Sequence, residues 1–215
     1  MVLVMIDGSV ASLVAAWREQ ALVHQKRSGD VARPVLWLDG PDAALMGPRA
    51  EALMAVTGFD VVVAGSAEQW LAPEGTAPRT EGTLRLMRAC LCASQRGIAR
   101  VVWPVHTTPA EGVEAAARAF DRALLTEQLL GLDLAPIAPV KGAQQTDSTS
   151  LHIETPMLEI SDEALMDIAS ELGVPVELAA FCRESPGPSC GQCPSCRRWK
   201  AAGQQVGYAF AIAGQ

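Results

Sequence analysis

Long apolar runs are missing from the 215-residue chain, and no stretch approaches the roughly 18 apolar residues that a bilayer-spanning helix requires. That absence excludes an ordinary transmembrane helix. A basic excess is missing as well: 17 Lys and Arg stand against 24 Asp and Glu, for a formal charge of −7. Such a balance argues against general nucleic-acid binding, which needs clustered cations to neutralise phosphates, and leaves room only for a local basic patch. The start lacks a basic leader. Met1 to Ile6 is apolar and stops at Asp7-Gly8, so it reads as a buried strand rather than a secretory signal, and the cytoplasm is the expected location. No segment repeats at a fixed period, which excludes a solenoid.

With 49% hydrophobic residues, the chain has enough apolar material for one sizeable core and a small appendage. Short apolar runs alternate with stretches of helical periodicity. Val2 to Ile6 reads as a strand, Ala11 to Lys26 as a helix, Pro34 to Leu38 as a strand, Pro48 to Val56 as a helix, and Asp60 to Ala64 as a strand. Glu81 to Arg96 (helix), Ala99 to Pro104 (strand) and Pro109 to Leu130 (helix) repeat the unit. The alternation predicts an α/β fold, a parallel sheet with helices on both faces. Residues 132–150 break the pattern and read as an active-site loop or a mobile connection. Beyond them, Ile153 to Leu158 reads as ordered. Ser161 is placed to cap a helix with Asp162 and Glu163 in its first turn, ending at Gly173-Val174-Pro175.

Six cysteines are present, and four of them, Cys182, Cys190, Cys193 and Cys196, follow the spacing C-x7-C-x2-C-x2-C among turn-forming Gly and Pro residues. In a reducing compartment this clustering favours metal ligation over disulfides. Four thiolates suit tetrahedral Zn²⁺ in a closed structural site. Two alternatives stay open at this point: unligated thiols, and an iron–sulfur cluster, although Lys200 stands where the bacterial ferredoxin spacing has its next cysteine. Cys90 and Cys92 sit in an apolar stretch and are expected to pack in the core.

Thr155-Pro156, Ser161 to Leu165, Glu171 to Pro175, Phe181-Cys182 and Cys190 to Arg198 together resemble the C-terminal part of the 7-cyano-7-deazaguanine synthase (QueC, ExsB) family. The resemblance implies the adenine-nucleotide α-hydrolase-like (Rossmann-like) fold of the PP-loop ATP pyrophosphatases. It further implies ATP-dependent conversion of 7-carboxy-7-deazaguanine and ammonia to the nitrile on the route to queuosine, and a zinc-binding role for the four cysteines. The family's phosphate loop, Ser-Gly-Gly-x-Asp-Ser, aligns with Asp7 to Ser12 and is degenerate here, because only Gly8 and Ser12 are retained. Asp7, Gly8, Ser9, Ser12 and Asp39 are the candidate nucleotide-binding residues, with Mg²⁺ bridging the phosphates and Asp7 a candidate metal ligand. Glycine permits close backbone approach there, and the following helix offers its positive end. Arg49 and Glu51 loosely match further family positions, and Asp162 stands where the family has a lysine.

No catalytic residue is identified. His106, after the strand ending at Val105, is a candidate proton shuttle, and Trp199 beside Arg197, Arg198 and Lys200 reads as a solvated helix face or a small contact patch for a nucleotide, RNA or acid. The expected division is 1–176 for the nucleotide domain and 177–215 for the zinc segment. A small-molecule substrate and nucleotide are the expected partners of an active enzyme; a homodimer or partner protein stays open. A degenerate relative acting as a nucleotide-binding or scaffold subunit is the second reading, and a zinc-ribbon nucleic-acid module the third.

Overall fold

The computed structural model describes residues 1–25, 34–39, 52–55, 57–64, 78–107, 111–134, 150–180, 182 and 190–208. Among the described residues there are five strands: β1 (Leu3–Ile6), β2 (Val35–Asp39), β3 (Asp60–Ala64), β4 (Arg100–Val102) and β5 (His152–Glu154). They form one sheet in the order β3-β2-β1-β4-β5, every pair parallel. The longer helices among the described residues are α1 (Val10–Gln25), α2 (Pro78–Gln95), α3 (Gly112–Leu134), α4 (Asp162–Glu171) and α5 (Pro194–Gln205), with a 3-10 turn at Val176–Leu178. The expected α/β architecture is therefore present.

The unbroken apolar character of β1 follows from burial on both sides. Successive side chains of a strand point to opposite faces, so Leu3 and Met5 enter one core while Val4 and Ile6 enter the other. The first core lies beneath α1, α4 and α5 and includes Leu13, Leu36, Leu165 and Trp199. The second lies beneath α2 and α3 and includes Trp37, Leu86, Trp103 and Ile153. Cys90 is fully buried in that second core with Cys92 packed against it, as expected.

Boundaries differ where tertiary packing overrides local signals. Helix α3 continues to Leu134, past the expected end at Leu130 and into the stretch expected to be irregular. Strand β4 is only three residues long, and β5 stops at Glu154 before turns at 156–159. Ser161 caps α4 as its sequence suggests, accepting from the Ala164 N–H. Of the helix expected at 48–56, residues 52–55 are helical, and Arg49 and Glu51 lie outside the described residues. Trp70 and residues 135–149 lie outside them too. Among the described residues, no helix is long and apolar enough to cross a membrane.

One charged cluster braces the sheet at the start of β4. Arg100 donates from both terminal nitrogens to Glu19 of α1 (2.9 and 2.7 Å), and through Nε and Nη2 to Glu154 of β5 (2.6 and 2.9 Å). Glu19 is 3% exposed, so this fork supplies hydrogen bonds that water cannot reach in to give. The hydrogen bonds from Arg100 hold the Glu154 carboxyl below its ordinary value of 4.5. Arg100→Met is expected to lower stability by about 2–3 kcal/mol at pH 7, less than for a fully enclosed pair because Arg100 is partly exposed. Since the folded pKa of Glu154 is depressed, its share is complete above the unfolded value and disappears as pH falls through the folded one. Denaturant titrations of both proteins from pH 7 to pH 3 measure the difference, which should narrow below about pH 4.5.

Candidate functional site

The C-terminal ends of β1 and β4 are where an open parallel sheet reverses its winding and leaves a crevice for ligands. The loop after β1 is built for a sharp entry into α1. Gly8 adopts φ 81°, a conformation that a Cβ would strain. The Asp7 carboxylate accepts from the Ser9 N–H at 2.9 Å, Ser9 Oγ accepts from the Ser12 N–H at 3.2 Å, and Ser12 Oγ donates to the Ser9 carbonyl at 2.8 Å. Ser12 is fully buried. The loop keeps the glycine turn and the helix N-terminus of an anion site, but its side chains occupy two of its N–H donors. Asp39 ends β2 at the same edge of the sheet.

The C-terminal segment closes on this loop. The Ala180 N–H donates to the Gly8 carbonyl at 2.7 Å, two residues before Cys182. The Sγ atoms of Cys182, Cys190, Cys193 and Cys196 all lie within 4.8 Å of one another, with Cys190 and Cys196 3.8 Å apart. A tetrahedral ion with bonds of about 2.3 Å to sulfur sets its thiolates about 3.8 Å apart, so the donor set fits a single cation. The N–H groups of Cys190, Cys193 and Cys196 each point at a sulfur of the group at 3.4 Å. Pro194 begins α5, and Cys193 caps it, bringing the positive helix end to the sulfurs. Without a cation, burial and the neighbouring thiols push the Cys196 thiol up to about 12.

A second contact fastens α5 to the sheet. Arg198 forms a two-pronged ion pair with Asp162, the first residue of α4, and its guanidinium carbon lies 4.9 Å from the Trp199 ring centroid. Arg198 Nη2 also donates to His106 Nδ1 at 3.3 Å, while His106 Nε2 donates to the Ile160 carbonyl at 2.8 Å. Because a guanidinium only donates, Nδ1 must be unprotonated and the imidazole neutral. Burial, the dominant influence, lowers the His106 pKa in agreement. Both ring nitrogens are engaged by protein, so His106 serves here as a brace between β4 and α5 rather than a shuttle with a free nitrogen.

This overturns the reading of Arg198 and Trp199 as a solvated patch. Trp199 is 5% exposed in the core, and Arg198 is tied to Asp162. Sequence reasoning missed the Asp162–Arg198 pair because nothing local couples residues 36 positions apart; an acid in the first turn of α4 was the one available signal. His152 is exposed and pairs with Glu127 at 3.0 Å.

Comparison with known proteins matches residues 82–207 to the family model described as "Queuosine biosynthesis protein QueC". The chain belongs to the QueC family. Among curated QueC relatives, the 7-cyano-7-deazaguanine synthase of a Nitratiruptor species is 39% identical over 49 residues, 23% of this chain and 22% of that protein. The synthase of Chlorobaculum parvum is 36% identical over 61 residues, 28% and 27% of the two chains. The matches thus span about a quarter of those relatives' length. Among solved structures, the U34-tRNA thiolase NcsA from Methanococcus maripaludis, with its [4Fe-4S] cluster, superposes with a TM-score of 0.51 at 10% identity, covering 100% of this chain and 76% of that one. The likeness is one of fold.

The QueC cysteine geometry leads to a direct expectation. Purified protein should carry one metal ion per chain by elemental analysis, and Cys193→Ser or Cys196→Ser should lose it with a fall in thermal midpoint. Because ligation requires deprotonated thiols, apparent metal affinity should weaken as pH falls from 8 to 6 in a chelator competition.

Proposed function

We propose that this QueC-family chain is a cytoplasmic zinc protein acting as an ATP-dependent carbon–nitrogen ligase, with 7-carboxy-7-deazaguanine or a related acid and ammonia as substrates. The observation that carries the reading is the joining of two features at the sheet's C-terminal edge. A glycine turn leads into the N-terminus of α1, and the segment that bears the four cysteines is hydrogen-bonded onto that same turn. Family membership supplies the substrate class, since the relatives are named as 7-cyano-7-deazaguanine synthases.

In this reading residues 1–176 bind nucleotide and 177–215 bind zinc. The zinc is structural: four thiolates on one ion leave no open position for water. The sulfur spacing supports a single ion, whereas a four-iron cluster bonds each thiolate to a different iron and requires a wider set. The phosphates of ATP would meet the loop at Gly8 and at the first turn of α1, where the N–H groups of Val10 and Ala11 precede the helix's own hydrogen-bond ladder. Chemistry would rest on charge neutralisation and positioning, and Asp7 would be the residue to hold a Mg²⁺ ion that supplies positive charge to the phosphates. Transfer of adenylate to the substrate carboxylate releases pyrophosphate. Attack by ammonia then releases AMP and gives the amide, and a nitrile requires removal of one further water through a second activation.

The second reading, a degenerate relative that serves as a nucleotide-binding or scaffold subunit, is favoured by one observation. Asp7 and Ser9 already occupy the Ser9 and Ser12 N–H donors, and Ala11 stands where the family has a carboxylate. Calorimetric titration of ATP with Mg²⁺ into zinc-loaded protein separates the readings. The ligase reading expects micromolar binding and formation of the nitrile product. Absence of binding by folded, zinc-loaded protein would overturn it.

The self-capped loop makes its own prediction. Ser9→Gly removes the hydroxyl that competes for the Ser12 N–H and restores the family's residue, so nucleotide affinity should rise about tenfold, equivalent to one hydrogen bond of about 1.4 kcal/mol. The same titration measures it, and unchanged affinity would place the loop outside the nucleotide site.

A further inference from the structure

The four clustered cysteines are unequal in their access to solvent, and the inequality follows from where the chain places them. Cys193 caps α5 and Cys196 lies in its first turn, and the two are 6% and 3% exposed. Cys182 is half-buried. Cys190 is exposed, and it precedes Gly191, whose φ of 70° belongs to a turn outside any helix or strand. One sulfur therefore faces water while a close neighbour does not: Cys190 Sγ lies 3.8 Å from the buried Cys196 Sγ. A disulfide sets its sulfurs about 2 Å apart, so a small movement at the Gly191 turn brings the pair together.

Thiolates held on a cation stay ionised, and the thiolate is the form that an oxidant attacks. Access then decides which of the four is attacked first, and Cys190 alone among them is exposed. The remaining two cysteines are shielded. Burial pushes the Cys90 thiol up to about 12, and Cys92 packs against the second core.

We infer that Cys190 is a peroxide-sensitive modification site, where oxidation joins Cys190 to Cys196, expels the cation and loosens the start of α5. The Cys190 thiolate attacks one oxygen of a hydroperoxide, the O–O bond breaks, and a sulfenic acid forms with release of hydroxide or alkoxide. The Cys196 thiolate then attacks the Cys190 sulfur, the S–S bond forms, and hydroxide leaves. Two thiolates have given up two electrons, and the peroxide has taken them. With Cys196 drawn toward Cys190, the strain falls on the turn of α5 that also carries Arg198 and its contacts to Asp162 and His106. The modification thus reaches the ligand edge without touching the loop after β1. It rests on the expectation that the cysteines hold a metal ion.

Full-length protein, its zinc content first fixed by elemental analysis, would be treated with hydrogen peroxide while a chromogenic chelator follows ion release. Dimedone trapping should label Cys190 ahead of Cys193 and Cys196. Trypsin cuts after Arg183 and Arg197, so a Cys190–Cys196 bond stays within one peptide, whereas a bond to Cys182 joins two. Hydrogen exchange should show Pro194–Gln205 losing protection as the ion leaves, and dithiothreitol with zinc should restore it. Cys190→His keeps a ligand for zinc but no sulfur, and should release the ion at least about tenfold more slowly. Cys92→Ser should behave as the parent. Equal release from the parent and Cys190→His, first labelling at another cysteine, or a disulfide through Cys182 or Cys193 would overturn the inference. A chain that carries no ion at the outset fails the metal expectation and this one together; a loaded chain that keeps its ion through peroxide fails this one alone. No nucleotide is used, so the ATP titration stands apart from either result.

Discussion

The C-terminal segment holds to the sheet edge through a few contacts, and Arg198 is the centre of them. Its guanidinium pairs with Asp162 at the start of α4, donates to His106 beyond β4 and lies over Trp199. Three chain segments far apart in sequence meet on one planar cation whose charge is permanent. Two residues earlier, Cys196 belongs to the four-cysteine group. A metal that fixes the cysteines therefore fixes the start of α5, and α5 in turn fixes His106 as a neutral brace at the end of β4. The Ala180 N–H to Gly8 carbonyl bond carries the same order to the other side of the crevice. Both walls of the candidate ligand edge thus lean on one small segment, which contributes Ala179, Trp199 and Ala202 to the first core.

This dependence suits a site made from separate strand ends. Parallel strands place their loops at a common edge but do not tie the loops to each other. Here β1 and β4 pair through Leu3–Val101 and Val4–Val102 alone. With so short a ladder, the relative position of the two loops is set by what bridges them. The Arg100 cluster does similar work at the start of β4, where Glu19 and Glu154 bring α1 and β5 together. The two clusters differ in their surroundings. Arg100 joins elements already packed in the sheet, whereas Arg198 joins the sheet to the helix that begins within the cysteine group.

The strands were legible in the sequence because a sheet buried on both faces requires short unbroken apolar runs, and Val61 to Ala64 is such a run from end to end. The Ser161 cap and the cysteine group were legible because their chemistry is local: a hydroxyl before a first turn, and thiols two residues apart around turn-forming residues. The end of α3 was not. Leu132 and Gly131 carry no helical signal of their own, and the helix continues through them. Trp199 was misplaced for the opposite reason. Its neighbours Arg197, Arg198 and Lys200 suggest solvent, yet helical spacing turns Trp199 inward with Cys196 and Ala202.

The loop after β1 shows how a family frame and a local substitution act together. Its backbone path is that of an anion site: a positive-φ glycine, then a helix whose first N–H groups lack helical partners. Ser9 answers that lack internally, since a hydroxyl at the helix cap reaches the Ser12 N–H at 3.2 Å. A glycine at the same position would leave the donor for a ligand. The substitution thus trades readiness for a phosphate against stability of the empty turn, at a scale of about 1 kcal/mol for one cap. A phosphate bound there would have to displace that cap and overcome the charge of Asp7, whereas the Ala180 N–H holds the Gly8 carbonyl independently of both. The turn thus keeps its shape while Ser9 itself takes up the Ser12 donor.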